Sequence, residues 1–254
     1  MNENKEMRLF EKAAALKEAS IEVTDKQLEK INEFTLEPLT KEQVFVFKLC
    51  LADNEIDDRN YEPFNLNALK DLKELYIGKT VIKDHDRAAD NQVARIFDTE
   101  LEEEDSETGA GEKFTKLIGY AYMVKTDSNA DLVAEIKGGI KKEVSTGCSP
   151  KRAVCSICGK DNLIDYCEHF WGKTYGEKTC YFTLDGAKDA YEVSLVAVPA
   201  QKRAGVCKDA KKTLELAKEK ELTAEKTAKE IAEKTAAEIN VRIRLAENFT
   251  FTKN

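Results

Sequence analysis

The feature that most restricts this chain is a cluster of thiol and imidazole side chains. Cys155 and Cys158 are separated by two residues, Cys167 and His169 by one, and all four fall within fifteen residues. A Cys-x2-Cys pair on one tight turn aims two thiolates at a single ion. Gly159 sits where such a turn needs a residue free to take positive φ. The set predicts a structural zinc site of three sulfurs and one nitrogen, closed and tetrahedral, with Cys180 as an alternative ligand to His169. With four positions filled, none is left for water, so the metal staples the chain and does no chemistry.

The same cluster limits everything else. The chain has seven cysteines, and an odd, clustered set reads as metal ligands and not as a disulfide framework. It has only two histidines. If His169 ligates, its lone pair is committed to the ion, and His85 remains the one imidazole available as a base. No apolar run approaches the roughly 20 residues of a bilayer span, and the charged stretch from Met1 to Lys12 has no signal-peptide core. A cytosolic protein is expected. The net charge of −8 argues against a general nucleic-acid surface.

Along the chain, 1–42 reads as a charged helical arm, with helix over most of 1–35. From Gln43 the character changes. Val44–Leu51 alternates aromatic and β-branched residues and predicts a strand. Leu66, Leu69, Leu72 and Leu75 predict a helix over 65–76, ended by Gly78. Strands follow at 80–83, 93–101 and 116–125, with the acidic stretch 100–112 as a solvated loop between the last two. A short helix at 131–138, a strand at 142–146, the cysteine segment 151–182 and an apolar strand at 191–198 complete this domain, 43–207. Beyond it, 208–254 lacks Gly and Pro, and 224–231 nearly repeats as 232–239. That composition predicts one long exposed helix over 208–245.

Candidate chemistry lies at two further places. His85 follows a short strand between Asp84 and Asp86, and a neighbouring carboxylate suits an imidazole to act as a base near neutral pH. Ser145 ends a predicted strand, and Gly147, two residues on, leaves room for a backbone N–H to face a reacting carbonyl. Ser149 and Ser194 are weaker nucleophile candidates. The chain has no Gly-x-Ser-x-Gly elbow, Walker loop, dinucleotide glycine motif or His-Glu-x-x-His, which disfavours the enzyme classes built on them.

Three segments in this order resemble a known family: Lys83-Asp84-His85-Asp86, Glu143-Val144-Ser145-Thr146-Gly147, and Tyr191-Glu192-Val193-Ser194-Leu195-Val196-Ala197-Val198-Pro199-Ala200. Over about 44–206 the chain resembles the prohead (capsid maturation) proteases of tailed phages, which are similar in fold to the herpesvirus assemblins. The resemblance implies an α+β fold, a small, mostly antiparallel β-barrel surrounded by helices, with 151–182 as a zinc-stapled insertion. It implies Ser145 as nucleophile, His85 as base and Glu192 as the group orienting the imidazole, with Asp84 or Asp86 as alternatives for that third place. The implied activity is that of a serine endopeptidase. It would cut scaffold protein, major capsid protein and itself inside the assembling prohead in the host cytoplasm. The portal is a further candidate partner, and self-association is expected. Two non-catalytic readings stand beside it: a scaffolding component of a capsid, and a zinc-stapled protein-binding module.

Overall fold

The structure is a computed structural model that describes residues 23–57 and 59–207. The chain divides into a unit Met1–Cys207 and a unit Lys208–Asn254. The second unit, with the helix expected over 208–245, lies outside the described residues, as does the first half of the expected arm.

Strand β1 (Val44–Asp53) shows how the sheet is built. Successive side chains of a strand point to opposite faces, so Phe45, Phe47, Leu49 and Leu51 enter the main core. Val44 and Val46 face the other way, into a second cluster with Ile31, Phe97 and Tyr122. Helix α1 (Asp25–Asn32) supplies Ile31 to that cluster. It starts at a capping box in which Thr24 and Gln27 satisfy each other's backbone N–H groups. From Val23 onward, then, the segment expected as an arm is docked on the sheet.

Helix α2 (Leu66–Leu75) begins where the Asn65 side chain accepts from the Ala68 amide. It buries Ala68, Leu69 and Leu72, and Gly78 follows at φ +80, the conformation glycine supplies past a helix end. After it come β2 (Thr80–Lys83), β3 (Ala94–Glu107), β4 (Lys113–Val124), α3 (Ala130–Lys137), β5 (Val144–Cys155), β6 (Thr174–Tyr175), β7 (Lys178–Thr179), β8 (Phe182–Leu195) and β9 (Gly205–Val206). The order in the main sheet is β5-β8-β2-β3-β4-β1-β9, and β6 pairs with β7 in a separate ribbon. The ladder between β2 and β8 is parallel, while β1–β4, β1–β9, β2–β3, β3–β4 and β5–β8 are antiparallel. The fold is α+β with a mixed seven-stranded sheet. The small closed barrel that the resemblance implied is not shown by the ladders: the two ends of the sheet meet at an isolated bridge, Glu143 with Gly205.

Two expectations change. The acidic stretch expected as a loop is strand as far as Glu107. Its carboxylates are matched across the sheet by Lys48 with Glu102, Lys113 with Glu103 and Lys116 with Glu104, so opposite charges replace the repulsion that suggested a loop. The strands at 142–146 and 191–198 are parts of one long hairpin, since β5 runs on to Cys155 and β8 starts at Phe182. The segment 151–182, expected as a zinc-stapled insertion, thus comprises the ends of these two strands and the hairpin tip between them, residues 156–181. No helix among the described residues is long and apolar enough to cross a membrane.

Candidate functional site

The site is assembled at the end of β2, where it lies beside β8. Ile82 pairs with Ser194 and Lys83 with Leu195. The chain then turns sharply, with Asp84 at φ 53 and His85 at φ 57. Left-handed backbone at a residue other than glycine costs on the order of 1–3 kcal/mol and persists only where surroundings impose it. Here they do: the Asp84 amide donates to Leu195 O at 3.0 Å, and the His85 amide donates to Ser194 Oγ at 2.9 Å.

This turn carries the imidazole over β8. His85 Nδ1 lies 2.9 Å from Glu192 Oε1. Glu192 is buried, and its other oxygen accepts from Ser194 Oγ at 2.9 Å. Against a carboxylate acceptor Nδ1 is the donor nitrogen of this pair, which leaves Nε2 as the ring nitrogen not engaged by Glu192. Of the three carboxylates named from sequence, Glu192 is the one that meets the His85 ring. Asp86 caps its own turn, accepting from the Ala88 amide and the Asn91 side chain, and Asp84 makes no hydrogen bond to the ring.

Register brings β5 to the same place. Ser145 pairs with Ser194, and Gly147 with Glu192. Residues two apart on a strand share a face, so Ser145, Gly147, Glu192 and Ser194 lie on one face. Val144, Val193 and Leu195 fill the core on the other. Gly147 is required by close approach: a Cβ there would lie 2.5 Å from Glu192 Oε1. Beneath it the buried Tyr76 hydroxyl donates to Gly147 O at 3.3 Å. Burial above all, with the Glu192 charge adding, holds the Tyr76 phenol well above its ordinary pKa, so it stays a donor. No direct hydrogen bond joins Ser145 Oγ to the His85 ring.

Cys148, three residues after Ser145 on the same strand, is held in its thiol form. Burial raises its pKa to about 11, with the Glu192 charge adding to the effect and a Tyr76 hydrogen bond opposing it, so the reactive thiolate is suppressed. Ser194, a weaker nucleophile candidate from sequence, is placed by the structure as a link between two other groups. Its hydroxyl ties the His85 backbone to the Glu192 carboxylate. The available signal was its place two residues from Glu192, on the same strand face.

The cysteine cluster lies at the far end of the same hairpin. Ligand atoms of Cys155, Cys158, Cys167 and His169 all lie within 4.8 Å of one another, so the four could hold a metal ion. His169 Nδ1 is buried with no hydrogen-bond partner; a lone pair left bare in this way is what an ion would use. Burial raises the Cys155 thiol, but the amides of Cys158 and Ile157 and hydrogen bonds with neighbouring thiols outweigh it and hold the pKa below the ordinary value. Cys180, the alternative ligand, lies 4.0 Å from Cys155 Sγ and packs with Cys155, Cys167 and Phe182. Burial pushes its thiol up to about 11.

No protein-family model, no curated protein and no solved structure matches this chain.

Proposed function

We propose that this chain is a serine endopeptidase of the capsid-maturation kind. The observation that carries the proposal is the hydrogen-bonded chain His85–Glu192–Ser194, with Ser145 in register beside it. In this reading Nε2 of His85 takes the Ser145 proton as the hydroxyl oxygen attacks a peptide carbonyl. The imidazolium then protonates the leaving amine, and water resolves the acyl-enzyme by the same base. Glu192 fixes the ring's tautomer and stabilises its charged form, and Ser194 fixes Glu192. Closure of the sheet into a small barrel would complete the likeness to the assemblins, and the Glu143–Gly205 bridge is where closure would occur. Substrates in this reading are scaffold protein, major capsid protein and the chain itself, with the portal as a further candidate, inside an assembling prohead.

Zinc suits the donor set of Cys155, Cys158, Cys167 and His169, as three thiolates and an imidazole satisfy its tetrahedral preference. Bound there, it would cross-link the hairpin tip and supply no catalytic chemistry.

The test uses the full-length chain. Incubated alone and with capsid or scaffold protein, it should yield defined fragments, and an alkyl fluorophosphonate should label Ser145. Ser145→Ala should abolish both. Undiminished cleavage by that variant would sink the mechanism. A second reading, a non-catalytic binding module, is favoured by the exposed Ile164, Tyr166, Phe170 and Trp171 on the hairpin tip. It gains if the wild-type chain neither cleaves nor labels.

A further inference from the structure

A cavity of about 360 Å³ lies against the proposed nucleophile, with Ser145, Thr146 and Cys148 on one wall. Its other walls are apolar, from Leu51, Phe64, Val144 and Leu184, and its polar groups include Asp57 and Glu62. We infer that this cavity selects a substrate lysine or arginine side chain next to the scissile bond. The inference names the substrate class of the serine-peptidase reading and rests on it.

The two carboxylates differ in their commitments. Asp57 is fixed by its own turn, its Oδ1 accepting from the Arg59 and Asn60 amides and its Oδ2 from the Glu62 amide. The Glu62 carboxylate has no hydrogen-bond or ion-pair partner among the described residues. Arg59, the nearest cation in sequence, donates from its guanidinium to Pro199 O at 2.6 Å. Gln201 also lines the cavity, but its amide is spent on the Asp53 backbone. The cavity therefore carries at Glu62 an exposed carboxylate that pairs with no cation among the described residues. Glu62 is exposed to solvent; local desolvation by its neighbours raises its carboxyl above its ordinary pKa, and the Asp57 charge adds to the effect; a guest cation would oppose both.

A lysine or arginine side chain matches this lining along its length. Its methylene stem lies on the apolar walls while its head reaches the carboxylates. A neutral apolar side chain would desolvate Glu62 without pairing it, and an acidic one would be repelled. The chain carries a candidate substrate of its own, because the repeated Ala-Glu-Lys-Thr-Ala at 224–228 and 232–236 presents Lys226 and Lys234 in one context.

The test has two arms. In the first, the full-length chain is given a peptide copying residues 220–240 and versions with norleucine or glutamate for Lys226 and Lys234. Cleavage beside lysine, preferred about 100-fold over norleucine in kcat/KM, is expected, with the preference collapsing in Glu62→Gln and inverting toward glutamate in Glu62→Lys. Efficient cleavage with no basic preference would overturn the pocket assignment and leave the peptidase reading intact. The second arm measures binding of the same peptides to the Ser145→Ala chain by fluorescence anisotropy and needs no catalysis. At least tenfold tighter binding of the lysine peptide is expected, lost in the Ser145→Ala, Glu62→Gln double variant. Equal binding of lysine and norleucine peptides would overturn the inference even if the chain cleaves nothing.

Discussion

The hairpin of β5 and β8 has two ends that hold their shape by different means. At the end that carries the candidate site, Val144, Val193 and Leu195 are seated in the main core, so the opposite face, with Ser145, Glu192 and Ser194, is positioned by packing. At the tip, the buried cluster is only Cys155, Cys167, Cys180 and Phe182, while Ile164, Tyr166 and Trp171 are exposed. So small a core cannot offset the chain entropy of ordering 156–181, which is where a cross-linking ion has the most to add. One ladder thus joins a site fixed by hydrophobic burial to a loop whose clustered Cys155, Cys158, Cys167 and His169 could be cross-linked by an ion. The contrast teaches that the two ends should fail independently.

The two ends are nevertheless in contact through one loop. Tyr61 O accepts from the Phe182 amide and Pro63 O from the Leu184 amide. Gly172 of the tip packs on the Tyr61 ring so closely that a Cβ there would lie 2.8 Å from it. That loop carries Asp57 and Glu62, and Leu163 of the tip also lines the cavity beside Ser145. Loosening the tip should therefore reach the pocket before it reaches the catalytic groups.

The largest effects should come from the packed end. Ser145→Ala and His85→Ala should each lower kcat/KM by about 10⁴-fold or more while thermal melting stays close to wild type. A melting transition lost in either variant would mean that the site supports the fold, against the contrast drawn above. Next comes Glu192→Gln, which keeps the shape but loses the charge that stabilises the imidazolium; a fall in kcat of about 10²–10⁴-fold is expected with KM little changed. Gly147→Ala sharpens the point sterically. Its new methyl must displace the Glu192 carboxylate, so activity should fall with a stability loss of about 1–3 kcal/mol, read by denaturant unfolding and peptide cleavage together.

A smaller effect should follow metal removal. Metal analysis should find one zinc per chain, and Cys158→Ser should weaken its binding. A chelator should change the emission of Trp171, the one tryptophan, and raise KM for a lysine peptide several-fold with kcat nearly kept. The main unfolding transition of the sheet should survive. Global unfolding on chelation would show that the hairpin is one cooperative unit. The smallest effect is expected from deleting residues 208–254: cleavage of a short peptide should be retained, and recruitment into assembling capsids should suffer.

What the sequence determined by itself is what short-range chemistry encodes. The aromatic and β-branched residues of Val44–Leu51 placed β1, the leucine spacing and Gly78 bounded α2, and the spacing of Cys155, Cys158, Cys167 and His169 marked a cluster that could hold a metal ion. Each of these signals is complete within a few turns of chain, where periodicity and ligand reach suffice. The motif order also suggested His85, Ser145 and Glu192 as partners, by likeness and not by geometry. Tertiary structure alone decided that Glu192, and not Asp84 or Asp86, meets the imidazole, across 107 residues of chain. It alone gave Ser194 its role, carried the acidic stretch as strand, and set the loop bearing Glu62 against the cavity beside Ser145. These depend on which strands pair and in what register. A one-residue slip of a strand would send every one of its side chains to the opposite face, so no local pattern could have stated them.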